Sequence, residues 1–478
     1  MDYKFILKHI RPSAEEKKEV EELSKKLMNY IDKICEEESI AGKAKLVGSA
    51  SKKTWLSGKS DIDIFIRFPL ETPMEILKEA GLRIGYKVNE LMDGTPNEHY
   101  ASHPYLTCDI EDYEVDFVPC YGIKSGEQLK SAVDRTILHT DYIKANLDEK
   151  QTDDVLLLKK FMDCVGVYGS EFKTGGFAGY LCELLILEYE SFENTLENVA
   201  NWKYNTVIDI ENYHTIEESK KKFKDPLVFI DPTDKNRNVA AALRLEKMVE
   251  FILASRNFLK VLDDEDLDEE EKEFKLKEYF TPLQKGEITK EGIIEDFNKR
   301  GSKTYLIKFN IPEVSADALH PQLKKTIESL SEKLEDAEFS VFKSQYWTDE
   351  DNLAIFVIEL NVYQQNNITI HKGPKIWSEI ACNNFMAKRG DNCYPLDDFL
   401  VLTKEREFKT AEEYIKHILK KENIHIIKVG KNIKKSICET YSLELLEEGL
   451  NNLDLSENEE EFLNILDDFL RPGQYIKR

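Results

Sequence analysis

Asp61-Ile62-Asp63-Ile64-Phe65-Ile66 is the stretch on which the reading of this chain turns. Its apolar and β-branched residues predict a strand, and side chains on a strand alternate faces. Asp61 and Asp63 therefore share one face, while Ile62 and Ile64 turn to the core. Two carboxylates side by side repel, and a divalent cation is the usual remedy. Upstream, the short apolar run Lys45-Leu46-Val47 leads into Gly48-Ser49. That pair makes a tight turn with exposed N–H groups and a hydroxyl, suited to cradling phosphate. Downstream, Tyr105–Ile110 and Tyr113–Val118 read as a hairpin about Glu111-Asp112. Within it, Asp116 faces away from Val115 and Phe117, and an adjacent strand would set it beside the first pair. Three carboxylates around a hard cation fit Mg²⁺ and a phosphate-bearing substrate.

Before this strand, Ser13 and Glu16 form a capping-box pattern. Val20, Leu23, Leu27, Ile31 and Ile34 then recur at helical spacing up to about Ser39. Leu77, Ile84, Val88 and Leu91 mark a second helix, so the first ~140 residues read as a small α/β domain. The next section is helical, with segments at Val155–Val165, Gly179–Tyr189, Asn198–Trp202 and Asn238–Leu262. Nine carboxylates and one Lys fill Asp263–Glu273, a solvated face or linker. Beyond it, Tyr305–Phe309, Phe339–Phe342 and Leu353–Leu360 read as strands and Pro321–Leu334 as a helix. Leu443–Leu470 is amphipathic and acidic.

Composition narrows the function. The 478 residues allow roughly three domains. A net charge of −25 excludes a generally basic nucleic-acid coat but not a local basic patch. Eight cysteines without a CxxC pair argue against a disulfide scaffold or zinc ribbon. No apolar run approaches the ~20 residues of a membrane span, and no signal-peptide pattern is seen, so a cytoplasmic location without membrane contact is expected.

Gly48-Ser49, Asp61-Ile62-Asp63 and Asp116 together resemble the DNA polymerase β nucleotidyltransferase superfamily. Narrower strings resemble the class I, archaeal-type CCA-adding enzymes. They are His103-Pro104-Tyr105, Val133-Asp134-Arg135-Thr136, Gly176-Phe177-Ala178-Gly179-Tyr180-Leu181-Cys182-Glu183-Leu184-Leu185 and Asp231-Pro232-Thr233-Asp234-Lys235-Asn236-Arg237-Asn238. That resemblance implies an α+β multidomain protein: a polymerase β-like head over residues 1–145, a helical neck over 146–200, a mixed α/β body over 201–300 and 381–478, and a tRNA-binding tail over 301–380. It implies template-independent addition or repair of the 3′-terminal CCA of tRNA from CTP and ATP, with Mg²⁺. Some members of the family are homodimers.

By the same resemblance, Asp61, Asp63 and Asp116 hold metal. Ser49, Lys52, Lys159 and Tyr168 meet the nucleotide phosphates, Arg237 selects the base, and Thr136, His139 and His103 lie close to the nucleotide. On sequence alone, Lys159 could be a solvated helix lysine, and Asp234 with Arg237 a helix-start ion pair. Tyr180 and Phe177 read as core. Four positions depart from the family's pattern: Lys52 replaces Arg, Ser102 replaces an acid, and in Gly175-Gly176-Phe177-Ala178-Gly179 Gly175 and Ala178 replace Arg and Ser. Residues 372–435 carry fourteen Lys and Arg against nine Asp and Glu. Lys431, Lys434 and Lys435 there are candidates for gripping tRNA. Two other readings stay open. One is a different superfamily nucleotidyltransferase, poly(A) polymerase-like or a nucleotide cyclase. The other is a non-catalytic tRNA-binding protein.

Overall fold

The computed structural model describes residues 1–476 except 60, 101–103, 124–128, 132, 172, 391, 454 and 456–457, with only the backbone described at Tyr100 and Asp317. Residues 1–284, joined by the chain's end from Gly473, form one compact unit, and Lys285–Pro472 form a second.

The first unit opens with α1 (Lys4–Ile10) and α2 (Ala14–Glu37). The five expected apolar positions of α2 are all buried, Leu27 and Ile31 completely. Each such side chain contributes about 1.5–3 kcal/mol. Ser13 caps the helix by accepting from the Glu16 amide at 3.0 Å. The Glu16 carboxylate does not close a capping box. It instead accepts from Trp55 Nε1, Ser57 Oγ and the Gly58 amide, pinning the loop that precedes the acidic strand.

A five-stranded sheet follows: β1 (Lys43–Leu46), β2 (Asp61–Phe68), β3 (Thr95–Tyr100), β4 (Pro104–Ile110) and β5 (Tyr113–Tyr121), in the order β1-β2-β5-β4-β3. The β2–β5 pairing is parallel and the other three are antiparallel. Strand β3 carries Pro96 and polar residues, which hid it from a hydrophobic pattern. It is an edge strand, where both are tolerated. Helix α3 (Gly48–Lys52) sits between β1 and β2. Helix α4 (Met74–Leu91) buries Leu77, Ile84 and Val88, whereas Leu91 at its end is exposed, contrary to the periodicity.

Next come α5 (Arg135–Asn146), α6 (Glu149–Cys164), α7 (Gly179–Tyr189), α8 (Phe192–Val199), β6 (Thr206–Ile208), α9 (Ile216–Lys222), β7 (Leu227–Asp231), β8 (Asp234–Asn238), α10 (Leu245–Leu262) and α11 (Glu269–Lys277). Helices α6, α7, α8 and α10 share an aromatic core in which Phe161, Phe177, Phe192, Phe251 and Phe258 are fully buried. The expected helix from Asn238 starts only at Leu245, because Asn238 ends strand β8. There its side chain accepts from the Phe229 and Ala240 amides. Part of the acidic run forms the start of α11, capped by Asp268 and Glu271.

The second unit contains α12 (Lys290–Lys299), β9 (Lys303–Asn310), α13 (Ala316–Asp336), β10 (Val341–Thr348), β11 (Leu353–Leu360), β12 (Ile368–Lys375), α14 (Glu379–Arg389), β13 (Cys393–Leu396), β14 (Phe399–Glu405), α15 (Ala411–Ile418), α16 (Lys434–Thr440), β15 (Ser442–Leu445), α17 (Leu446–Asn451) and α18 (Glu459–Leu470). Its sheets run β10-β11-β9-β15 and β12-β14-β13. Helix α13 begins five residues before the expected Pro321 and carries that proline inside its second turn. No described helix is long and apolar enough to cross a membrane.

Candidate active site

Strands β2 and β5 build the acidic edge. Their parallel register pairs Asp61 with Glu114 and Asp63 with Asp116. Ile62 and Ile64 are fully buried behind them, as the alternation predicts. Thr107 on β4, paired with Asp116, donates its hydroxyl to that carboxylate at 2.6 Å. Burial pushes the Asp63 carboxyl up to about 7, reinforced by the charges of Asp116 and Asp61 and opposed by Lys52. Burial also raises Asp116, against the hydrogen bond from Thr107. This mutual repulsion on one face suits a hard divalent cation, and all the donors are carboxylate oxygens. Among the described residues no group of three or more His, Cys, Asp or Glu side chains is, as it stands, placed to hold a metal ion.

Gly48 is locked against this edge. Its φ is +66°, and a Cβ there would lie 1.8 Å from Asp63 Oδ2. Only glycine lets the Gly48-Ser49 backbone approach the carboxylate so closely. Ser49 follows in α3, and its carbonyl accepts from the Thr54 amide at 3.1 Å.

Two further clusters belong to the same unit. In the first, Lys52 Nζ donates to Glu183 at 2.5 Å, and Thr54 Oγ1 donates to the other oxygen of Glu183 at 2.5 Å. Lys159 is buried, donates to the Thr54 carbonyl at 2.8 Å, and stands 3.6 Å from Glu183. It is thus no solvated helix lysine. Tyr168 is its neighbour: a Cβ on Gly179 would meet Tyr168 Oη at 3.1 Å and Lys159 Nζ at 3.5 Å.

In the second cluster, fully buried Asp231 accepts from His139 Nε2 and from Arg237, each at 2.9 Å, and from Thr233. Arg237 therefore lies on a strand and pairs with Asp231, not with Asp234. Asp234 is 3.5 Å from Arg135 instead. Burial lowers the His139 pKa more than Asp231 raises it, which favours a neutral ring donating to the carboxylate. Burial alone would raise Asp231, but His139, Thr233 and their hydrogen bonds hold it well below the usual carboxylate range. Thr136 lies one turn before His139 on α5.

Tyr180 joins the two clusters and is not simply core. Its ring stacks on His139 with centroids 3.9 Å apart, and Lys52 Nζ lies 5.9 Å from the ring centre. Its buried hydroxyl has no partner among the described residues. Phe177 is core, as expected. His103 and Ser102 lie outside the described residues. Sequence reasoning missed Glu183, Thr54 and Asp231 as site residues. A lone acid in the apolar runs Leu181–Ile186 and Leu227–Asp231 was the available signal, since a buried charge needs a partner.

In the second unit, Lys431, Lys434 and Lys435 are exposed and make no ion pair among the described residues.

A mixed sheet with paired acids on its parallel strands and a Gly-Ser turn against them defines a polymerase β-like nucleotidyltransferase. Residues 27–139 match the nucleotidyltransferase domain family, 153–266 the second domain of tRNA nucleotidyltransferase, and 300–445 the C-terminal domain of the CCA-adding enzyme. The chain is 43% identical, over all its length and 99% of the relative's, to the CCA-adding enzyme of Methanothermobacter thermautotrophicus. It is 38% identical to that of Methanosarcina barkeri over 80% of each chain, and 36% identical to that of Methanocaldococcus jannaschii over 87% of this chain and 90% of the relative. The chain belongs to the CCA-adding enzyme family. A solved structure of the RNA terminal uridylyl transferase Cid1 is 14% identical, with a TM-score of 0.47 over 59% of this chain and 97% of that one. Superfamily members generally use divalent metal ions.

Proposed function

We propose that this chain builds or repairs the 3′-terminal CCA of tRNA without a nucleic-acid template, using CTP, ATP and Mg²⁺ and releasing pyrophosphate. The observation that carries this reading is the β2–β5 register, which sets Asp63 beside Asp116 with Asp61 on the same face, in a chain of this family. Asp61, Asp63 and Asp116 hold the cation. Mg²⁺ suits the set, because an open face of hard oxygens leaves room for phosphate oxygens and water. When bound, a divalent ion neutralises phosphate charge and favours the deprotonated form of an attacking hydroxyl.

The chain's own residues do the positioning. Asp116, steadied by Thr107, orients the tRNA 3′-hydroxyl. Ser49 and Tyr168 offer hydroxyl donors, and Lys52 and Lys159 offer ammonium groups, to the triphosphate. Arg237 turns its fork toward the base edge, with Asp231 fixing its direction. His139 and Thr136 line the same place. Phosphoryl transfer of this kind rests on placement and charge neutralisation and needs no histidine base.

In this reading residues 1–145 are the head, 146–200 the neck, and the rest the body and tail. Lys431, Lys434 and Lys435 grip the tRNA backbone. A homodimer is part of the same reading, and sedimentation of the purified chain tests it.

Incubation with tRNA lacking CCA, one nucleotide at a time, tests the function. CTP alone should extend the tRNA by two residues, ATP should then add one, and extension should stop. Repeated ATP addition, or a nucleotide product without tRNA, would move the chain to another superfamily activity. Tight tRNA binding without incorporation would make it a binding protein.

A further inference from the structure

Two ammonium groups and one carboxylate share a nearly dry space behind the Gly48-Ser49 turn. The Lys52, Lys159 and Glu183 side chains are 8%, 3% and 0% exposed. Glu183 Oε2 accepts from Lys52 and Oε1 from Thr54, and Oε1 also faces Lys159 at 3.6 Å. Glu183 is thus the carboxylate common to both cations. Lys159 has hydrogen bonds to Thr54 besides, and Lys52 also lies within the field of Asp63 on the acidic edge. Like charges at such depth repel strongly, so the shared carboxylate sets where each ammonium can sit.

We propose that Glu183 is a positioning residue: it spaces Lys52 and Lys159 and keeps both charged for a nucleoside triphosphate. This rests on the function proposed above. Glu183 faces the lysines and Thr54 rather than the acidic edge, so it acts through them. Through Thr54 it also ties the end of the Gly-Ser turn to α6 and α7, because the Thr54 amide donates to Ser49 and the Thr54 carbonyl accepts from Lys159. A core ion pair with a structural role alone would alter stability without singling out the nucleotide.

The pH dependence separates these roles. Burial pushes the Lys159 ammonium toward deprotonation. Glu183 and Cys182 on α7 oppose this, while Lys52 adds to it, and Tyr168 and Thr54 face the same nitrogen. A lysine keeps its charge below its pKa and loses it as pH rises. Without the Glu183 charge, Lys159 loses its proton at lower pH.

The test uses the full chain with tRNA lacking CCA, in wild type, Glu183→Gln, Glu183→Asp and Thr54→Val, with folding checked by melting. Glu183→Gln should raise KM for both CTP and ATP about tenfold or more while KM for tRNA moves less than about twofold. Its alkaline limb of kcat/KM for nucleotide should shift to lower pH. Glu183→Asp should recover part of the loss. If Glu183→Gln does not fold, Thr54→Val decides, with an expected rise of about threefold in nucleotide KM alone. Nucleotide KM within about twofold of wild type in the folded variant, an unmoved alkaline limb, or equal rises in nucleotide and tRNA KM would overturn the proposal. Failure of the wild type to extend tRNA would instead overturn the function on which it rests.

Discussion

Replacing Asp63 with asparagine separates the cost of the acidic edge from its use. The change keeps the shape of the side chain and removes its charge. Raising this carboxyl from 3.8 to about 7 corresponds to at most about 4 kcal/mol at alkaline pH. Partial exposure and salt reduce that to ~2 kcal/mol. The folded pKa lies above the unfolded one, so the stability from protonated Asp63 is complete below pH 3.8 and lost as pH rises through about 7. The amide that replaces it does not titrate. In EDTA at pH 8, Asp63→Asn should therefore melt above wild type by about 3 °C. The gap should shrink as pH falls from 7 toward 4. Adding Mg²⁺ should stabilise wild type and leave the variant nearly unmoved, while nucleotide incorporation by the variant falls about 10²–10³-fold. Equal melting in EDTA at pH 8, with equal stabilisation by Mg²⁺, would refute the assignment of a repelling cluster relieved by a cation.

Gly48→Ala should cut incorporation by about 100-fold or more, because its Cβ would meet Asp63 Oδ2 at 1.8 Å. The backbone strain should cost only about 1–3 kcal/mol in a thermal melt. Asp231→Asn should loosen Arg237 and His139 and lower discrimination against GTP and UTP about tenfold, read by single-nucleotide incorporation. The native Asp231 carboxyl has a lowered pKa, so its stabilising charge should persist as pH falls to about 4 and be lost only below. Neutralising Lys431, Lys434 and Lys435 should weaken tRNA binding and reduce the slope of log affinity against log salt by about 0.7–0.9 per lysine. An unchanged slope in filter binding would point to another surface.

The elements legible from sequence were those with a strong period and a buried face. Strand β2 and helix α2 show Ile62, Ile64, Leu27 and Ile31 where alternation and 3.6-residue spacing place them. The placement of Asp61 and Asp63 on one face was legible as well, because alternation along a strand fixes it. Strand β3 was not legible, since an edge strand needs no apolar face. Helix α10 was drawn seven residues too long, because Asn238-Val239-Ala240 suits either state until the β7 pairing claims Asn238. The partners of the cations were hidden for another reason. Glu183 and Asp231 sit in runs that read as core, and which donor answers a buried acid depends on contacts 131 residues away for Lys52–Glu183 and 92 for His139–Asp231.

In the proposed function, that arrangement lets a chain of net charge −25 hold a nucleoside triphosphate. At the proposed nucleotide site the cations are few, and each is tied to a buried acid: Lys52 and Lys159 to Glu183, Arg237 to Asp231. The acids fix where the positive groups point. They also spare the surface a broad positive field, which screening by salt would weaken over a Debye length of about 10 Å. A buried cation whose neighbour balances only part of its surroundings attracts phosphate at short range, whatever the sign of the whole molecule. Net charge therefore bears on how the tRNA backbone approaches from a distance.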